Sequence, residues 1–116
     1  AKPEGFEVLS GDDNLGSLLI AMGGKGIVSV ASNIIPKEMN ALCNAALEGN
    51  MAEAKRLQYE LLPFFRAEFI ETNPVPIKYA MAKAGMIQEA YRLPLCPMSD
   101  ASKQAMDAAM KGLGLI

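Results

Sequence analysis

The chain opens on a short β-prone run, Phe6-Glu7-Val8-Leu9-Ser10, which stops at Gly11 and gives way to the polar trio Asp12, Asp13 and Asn14. This pattern predicts a strand over 6–10 that ends in a loop. Beyond it Leu15, Leu18, Leu19 and Met22 recur at helical spacing, with Asp12, Asp13 or Asn14 available as N-cap, so a helix is predicted over 13–22. Gly23-Gly24-Lys25-Gly26 stops that helix and releases the chain into Ile27-Val28-Ser29-Val30-Ala31, an apolar, β-branched strand without polar alternation. Strand, helix and strand in so short a span form a βαβ unit, whose strands run parallel.

The remainder reads as helix. Pro36 suits the first turn of a helix that presents Met39, Leu42, Cys43 and Ala46 on one face and ends at Gly49. Asn50 with Glu53 three residues on is a capping-box variant opening a second helix, with Ala54, Leu57, Leu61 and Leu62 as its apolar stripe. Pro63 is expected to kink or reset this helix before Phe64, Phe65 and Phe69 continue the stripe. Asn73-Pro74-Val75-Pro76 starts a third helix that reaches Gly85, and Tyr91 to Pro97 is an extended connector. Ser99 or Asp100 caps a last helix to Lys111, in which Ala101, Ala105, Ala108 and Ala109 admit a close neighbour. Two parallel strands leave unpaired backbone on both edges, so these strands call for more strands than the sequence contains.

Composition narrows the chemistry. The 116 residues are 51% hydrophobic and 21% charged, with 11 Lys+Arg against 13 Asp+Glu, which is the make-up of a globular domain. A net charge of -2 offers nucleic acid no footing. The absence of His excludes Ser/His/Asp and Cys/His catalysis and the usual His-containing zinc sites. Two isolated cysteines suggest no disulfide framework and make a reducing cytoplasm the expected compartment. No apolar run approaches the roughly 18 to 20 residues of a membrane span.

Several residues could carry chemistry, each with a plainer reading beside it. Asp12 and Asp13 at a strand's carboxyl end could form an acid/base or metal pair, but helix capping is the simpler role. Gly23, Gly24 and Gly26 superficially resemble a phosphate loop, yet they follow a helix and precede a strand, the reverse of what a cradle needs. Cys43 and Cys96 read as small apolar residues, since no base accompanies either. Arg66, Glu68 and Glu71 read as a solvated helix face. Lys78 follows Pro74-Val75-Pro76-Ile77, but a Schiff-base lysine needs desolvation or a cationic neighbour, and none is visible.

The ordered series Leu9-Ser10-Gly11-Asp12-Asp13, Met22-Gly23-Gly24-Lys25-Gly26-Ile27-Val28-Ser29-Val30, Asn33, Glu71-Thr72-Asn73-Pro74-Val75-Pro76-Ile77-Lys78 and Leu93-Pro94-Leu95 resembles the carboxyl-terminal half of the dihydrodipicolinate synthase family. The resemblance spans essentially the whole chain. It implies an α/β fold in which the last two βα units of a (β/α)8 barrel, over 1–49, precede a helical extension over 50–116. The predicted strands would be the seventh and eighth of the barrel. The implied activity is that of a class I aldolase-type lyase condensing pyruvate with L-aspartate 4-semialdehyde to 4-hydroxy-tetrahydrodipicolinate in lysine biosynthesis, without cofactor or metal.

Carried over position by position, the resemblance assigns Gly11 and Val28 to the wall of the pyruvate pocket, at strand carboxyl ends. Val28 is one methylene smaller than the isoleucine usual there. The family's Schiff-base lysine, proton-relay tyrosine, Thr-Thr pair, aldehyde-binding arginine and lysine-feedback site all lie upstream, so no catalytic residue is assigned here. The implied partners are the missing N-terminal half of the barrel and further copies in a dimer or tetramer, with no nucleic acid and no membrane. The alternatives are a non-catalytic helical interaction module and part of another pyruvate-dependent lyase of the same superfamily.

Overall fold

The computed structural model describes residues 3–116. Its element order is β1 (Leu9–Ser10), α1 (Gly16–Ala21), β2 (Gly26–Ile27), a 3-10 turn (Ala31–Asn33), α2 (Pro36–Leu47), α3 (Met51–Ala67), α4 (Val75–Lys83) and α5 (Asp100–Gly112). The chain divides into two compact units, Ala1–Glu60 and Leu61–Ile116.

In the first unit β1 and β2 pair in parallel, Leu9 opposite Gly26 and Ser10 opposite Ile27, with α1 as the crossover. Both strands are shorter than the apolar runs predicted. Ladder pairing needs a partner at each position, and β2 stops after Ile27 because the backbone at 30–31 turns into the 3-10 element. Helix α1 also starts later than expected, at Gly16 rather than 13, because Asp12 and Asp13 hold loop backbone instead. Its buried face is Gly16, Ser17 and Ile20, whereas Leu15, Leu18 and Met22 stand exposed. The reason is Gly16: a Cβ there would fall 2.0 Å from Ile27 Cδ1, so the bare backbone of α1, rather than a leucine row, lies against β2. Gly23 then takes φ +101 past the helix end, a conformation that other residues rarely adopt.

Helix α2 buries Met39, Leu42, Ala45 and Ala46, close to the predicted face. Asn50 Oδ1 accepts from Glu53 N at 3.2 Å, the capping contact read from the sequence, while the Glu53 carboxylate turns to Arg56 rather than back to the cap. Pro63 neither ends nor resets α3, which runs unbroken from Met51 to Ala67. Proline removes the donor to the carbonyl of residue 59, and that turn is exposed, so water can satisfy the group.

In the second unit Leu61, Phe64 and Phe65 are buried, and Glu68 continues the same stripe at complete burial, against the expectation of a solvated face. Phe69 departs from the predicted stripe at 43% exposure. Helices α4 and α5 bury Val75, Ile77, Ala80, Met106, Ala109 and Met110. Of the four alanines predicted to admit a neighbour only Ala109 is buried; the methionines carry the contact surface of α5. Ser99 is its N-cap, with Oγ accepting from Ser102 N at 3.3 Å.

Candidate functional site

The carboxyl ends of β1 and β2 meet side by side. Val28 N donates to Ser10 O at 2.7 Å, which extends the parallel register one step and sets Gly11 and Val28 on adjacent chain segments. Ser10 Oγ donates to Asp12 O at 2.8 Å and accepts from Asp12 N at 3.1 Å, so the loop after β1 folds back on its own strand. Gly11 is exposed with open space where a Cβ would stand, and Val28 is 66% exposed. The structure thus brings the two predicted wall residues together on a face that is accessible among the described residues.

The two aspartates divide their work. Asp12 Oδ1 accepts from Leu15 N at 3.2 Å in the turn that leads into α1, whose N-cap is Leu15 rather than any of the three polar residues read as candidates. Asp13 is fully buried and caps a different element: its Oδ2 accepts from Val30 N at 2.8 Å and Ala31 N at 3.0 Å. Nothing in the sequence near Asp13 signals this, because its partners lie 17 and 18 residues away. Beyond them Ser29 Oγ accepts from Ser32 N at 2.8 Å, and Asn33 Nδ2 donates to Val30 O at 2.9 Å, closing the turn. Burial pushes the Cys43 thiol above its ordinary value and the negative charge of Asp13 adds to this, so Cys43 is a poor nucleophile.

The other candidates resolve into structural roles. Gly23 N and Gly24 N donate to Ile20 O and Leu19 O, both at 2.9 Å, so neither amide is free to cradle a phosphate. Lys78 Nζ donates to Ala90 O and stands 5.4 Å from the Tyr91 ring centroid, which fixes the connector rather than arming a nucleophile. Glu71 Oε1 accepts from the Ser99 amide and hydroxyl, both at 3.0 Å; hydrogen bonding from Ser102 and Ser99 holds its carboxyl below the usual range. Exposed Cys96 borders an open cleft of about 430 Å3 lined also by Glu71, Thr72, Val75, Pro94 and Leu95. Among the described residues no group of three or more His, Cys, Asp or Glu could hold a metal ion, and no helix is long and apolar enough to cross a membrane.

Parallel strands joined by a helical crossover, with open loops at their carboxyl ends and polar groups spent on shaping those loops, define an α/β protein. The model of the dihydrodipicolinate synthetase family matches residues 1–113, and the chain belongs to that family. It is 48% identical over 115 residues to the 4-hydroxy-tetrahydrodipicolinate synthase of Chlorobaculum parvum, covering 99% of this chain and 39% of that relative. The crystal structure of dihydrodipicolinate synthase from Aquifex aeolicus superposes with a TM-score of 0.95 at 42% identity, covering 97% of this chain and 39% of that one. A monomeric dihydrodipicolinate synthase variant superposes with a TM-score of 0.91 at 38% identity, over 96% of this chain and 37% of that one. The chain therefore spans about two fifths of the length of the relatives it matches.

Proposed function

We propose that the chain is the carboxyl-terminal part of a class I aldolase-type lyase that condenses pyruvate with L-aspartate 4-semialdehyde to 4-hydroxy-tetrahydrodipicolinate. The observation that carries this reading is the family match over 1–113, with relatives of that name at 48% identity. In this reading β1 and β2 are the seventh and eighth strands of a (β/α)8 barrel, and 50–116 is its helical extension. Gly11 and Val28 wall the pyruvate pocket where barrel active sites lie, at the strands' carboxyl ends. The amine that forms the imine with pyruvate belongs to an upstream strand. Imine chemistry of this kind needs neither metal nor cofactor. The exposed Leu18 of α1, the exposed Leu15 and Met22 that flank it and the open edges of the two-stranded sheet are surfaces for that upstream portion. The assembled enzyme works in the cytoplasm as a homodimer or homotetramer.

Borohydride reduction in the presence of pyruvate tests the division of labour. The 116-residue chain alone is expected to gain no reduced pyruvate, because Lys78 is engaged by Ala90 and Tyr91. Joined to or mixed with the upstream portion it is expected to form one adduct, located outside this segment. An adduct on any lysine of this chain overturns the assignment.

A further inference from the structure

The loop after β1 carries two carboxylates, and they are not equivalent. Asp12 is half-buried and holds the turn that leads into α1, as above. Asp13 is removed from solvent altogether, which is strongly unfavourable for a carboxylate unless hydrogen bonds compensate it. Among the described residues that compensation comes through Oδ2 alone, from the two consecutive amides of Val30 and Ala31; Oδ1 has no hydrogen-bond partner there. Bonds from backbone N–H to an ionised acceptor are shorter and stronger than neutral ones, so they make a stiff link.

This link closes a ring around the two wall residues. On one side Val28 N is tied to Ser10 O; on the other Asp13 is tied to Val30 and Ala31. Gly11 lies between these two ties, and Val28 makes the first of them with its own amide. Neither is held by packing of its own side chain, since Gly11 has none and Val28 projects into the open. The separation of the two walls is therefore set by the ring, and Asp13 is its side-chain member.

We infer that Asp13 is a positioning residue of the pyruvate pocket, tying the loop after β1 to the turn after β2 and so fixing Gly11 against Val28. The inference rests on the reading of Gly11 and Val28 as the pocket wall. Steady-state kinetics in the complete enzyme test it with Asp13→Ala and Asp13→Asn, and with Asp12→Asn as the control that leaves the ring intact. Asp13→Ala is expected to raise KM for pyruvate by about tenfold to a hundredfold, the scale on which small misplacements act, with kcat per folded enzyme within about threefold of wild type. Asp13→Asn, which keeps an acceptor oxygen, should recover most of the loss, and Asp12→Asn should match wild type. An Asp13 that serves stability alone would lower the melting temperature and leave KM for pyruvate unmoved in both variants; that result overturns the inference. A wild-type enzyme that performs no pyruvate condensation overturns the proposed function first, before any variant is compared. If Asp13→Ala does not fold, Asp13→Asn and amide exchange in the unaltered enzyme carry the test. Val30 and Ala31 amides that exchange as fast as exposed loop amides show that the tie is absent, and the inference then fails.

Discussion

The two units of the chain differ in what their polar side chains hold. In Ala1–Glu60 side chains mostly hold backbone: Asp13 takes the amides of Val30 and Ala31, Gln58 Nε2 donates to Asn14 O at 3.0 Å, and Ser29 and Asn33 secure the 3-10 turn. In Leu61–Ile116 the principal contact is between side chains of two helices: Tyr79 Oη donates to Asp107 Oδ1 at 2.9 Å, and Lys83 Nζ donates to Asp107 Oδ2 at 3.0 Å. The difference follows from backbone accounting. Loops at strand ends leave amides that something must satisfy, whereas a helix satisfies its own and frees its side chains to tie neighbours. A unit that spends its polar groups on loop backbone is shaping a surface; one that spends them between helices is holding a scaffold.

The largest test of that contrast lies in the scaffold. Phe65 is buried and Phe69 is 43% exposed on the same stretch, so Phe65→Ala should cost about 3–5 kcal/mol in denaturant unfolding. Phe69→Ala should cost less than about 1 kcal/mol. Equal losses would mean that Phe69 is covered by something in solution. Next, Gly16→Ala forces a methyl onto Ile27 and should destabilise the first unit by about 1–3 kcal/mol, read as a lowered denaturation midpoint at unchanged slope. Smaller still, Ser99→Ala removes the cap of α5 and should cost about 1 kcal/mol, with the loss confined to amide exchange within the second unit.

The smallest effect is acid sensitivity. Burial pushes Asp107 up, but hydrogen bonds from Lys83 and Tyr79 outweigh it and leave the carboxyl below its ordinary value; the bonds from Ser102 and Ser99 do the same for Glu71. A depressed folded value gives stability that is present above the unfolded pKa, near 4, and is lost as pH falls through the folded one. Lys83 is raised by its bond to Asp107, so its share is present below about pH 10 and fades above. Asp107→Asn should therefore flatten both limbs of the stability profile of the second unit, and an unchanged profile would show that the cluster is solvated.

Much of this was legible in the sequence because it rests on local chemistry. The order of elements, the parallel crossover, the cap at Ser99 and the buried face of α2 follow from spacing and from turn or cap residues within a few positions. The motif series singled out Gly11 and Val28, and the fold sets them on adjacent segments. What escaped depends on distant partners. Asp13 reads as a helix cap until Val30 and Ala31 arrive beside it, and the leucines of α1 read as a buried row because periodicity does not say which face meets β2. Glu68 reads as a solvent residue from its charge, although the spacing from Leu61 and Phe65 already puts it on the buried stripe.

The separation of 17 residues between Asp13 and Val30 is also that between the paired residues Leu9 and Gly26. In terms of folding order, the two contacts close overlapping loops of equal length, 9–26 and 13–30, so closing one leaves little further closure entropy for the other to lose. Contacts of such short range are met early, ahead of pairings that wait on distant strands. The strand-end loops, Gly11 and Val28 included, can thus acquire their shape as one local nucleus.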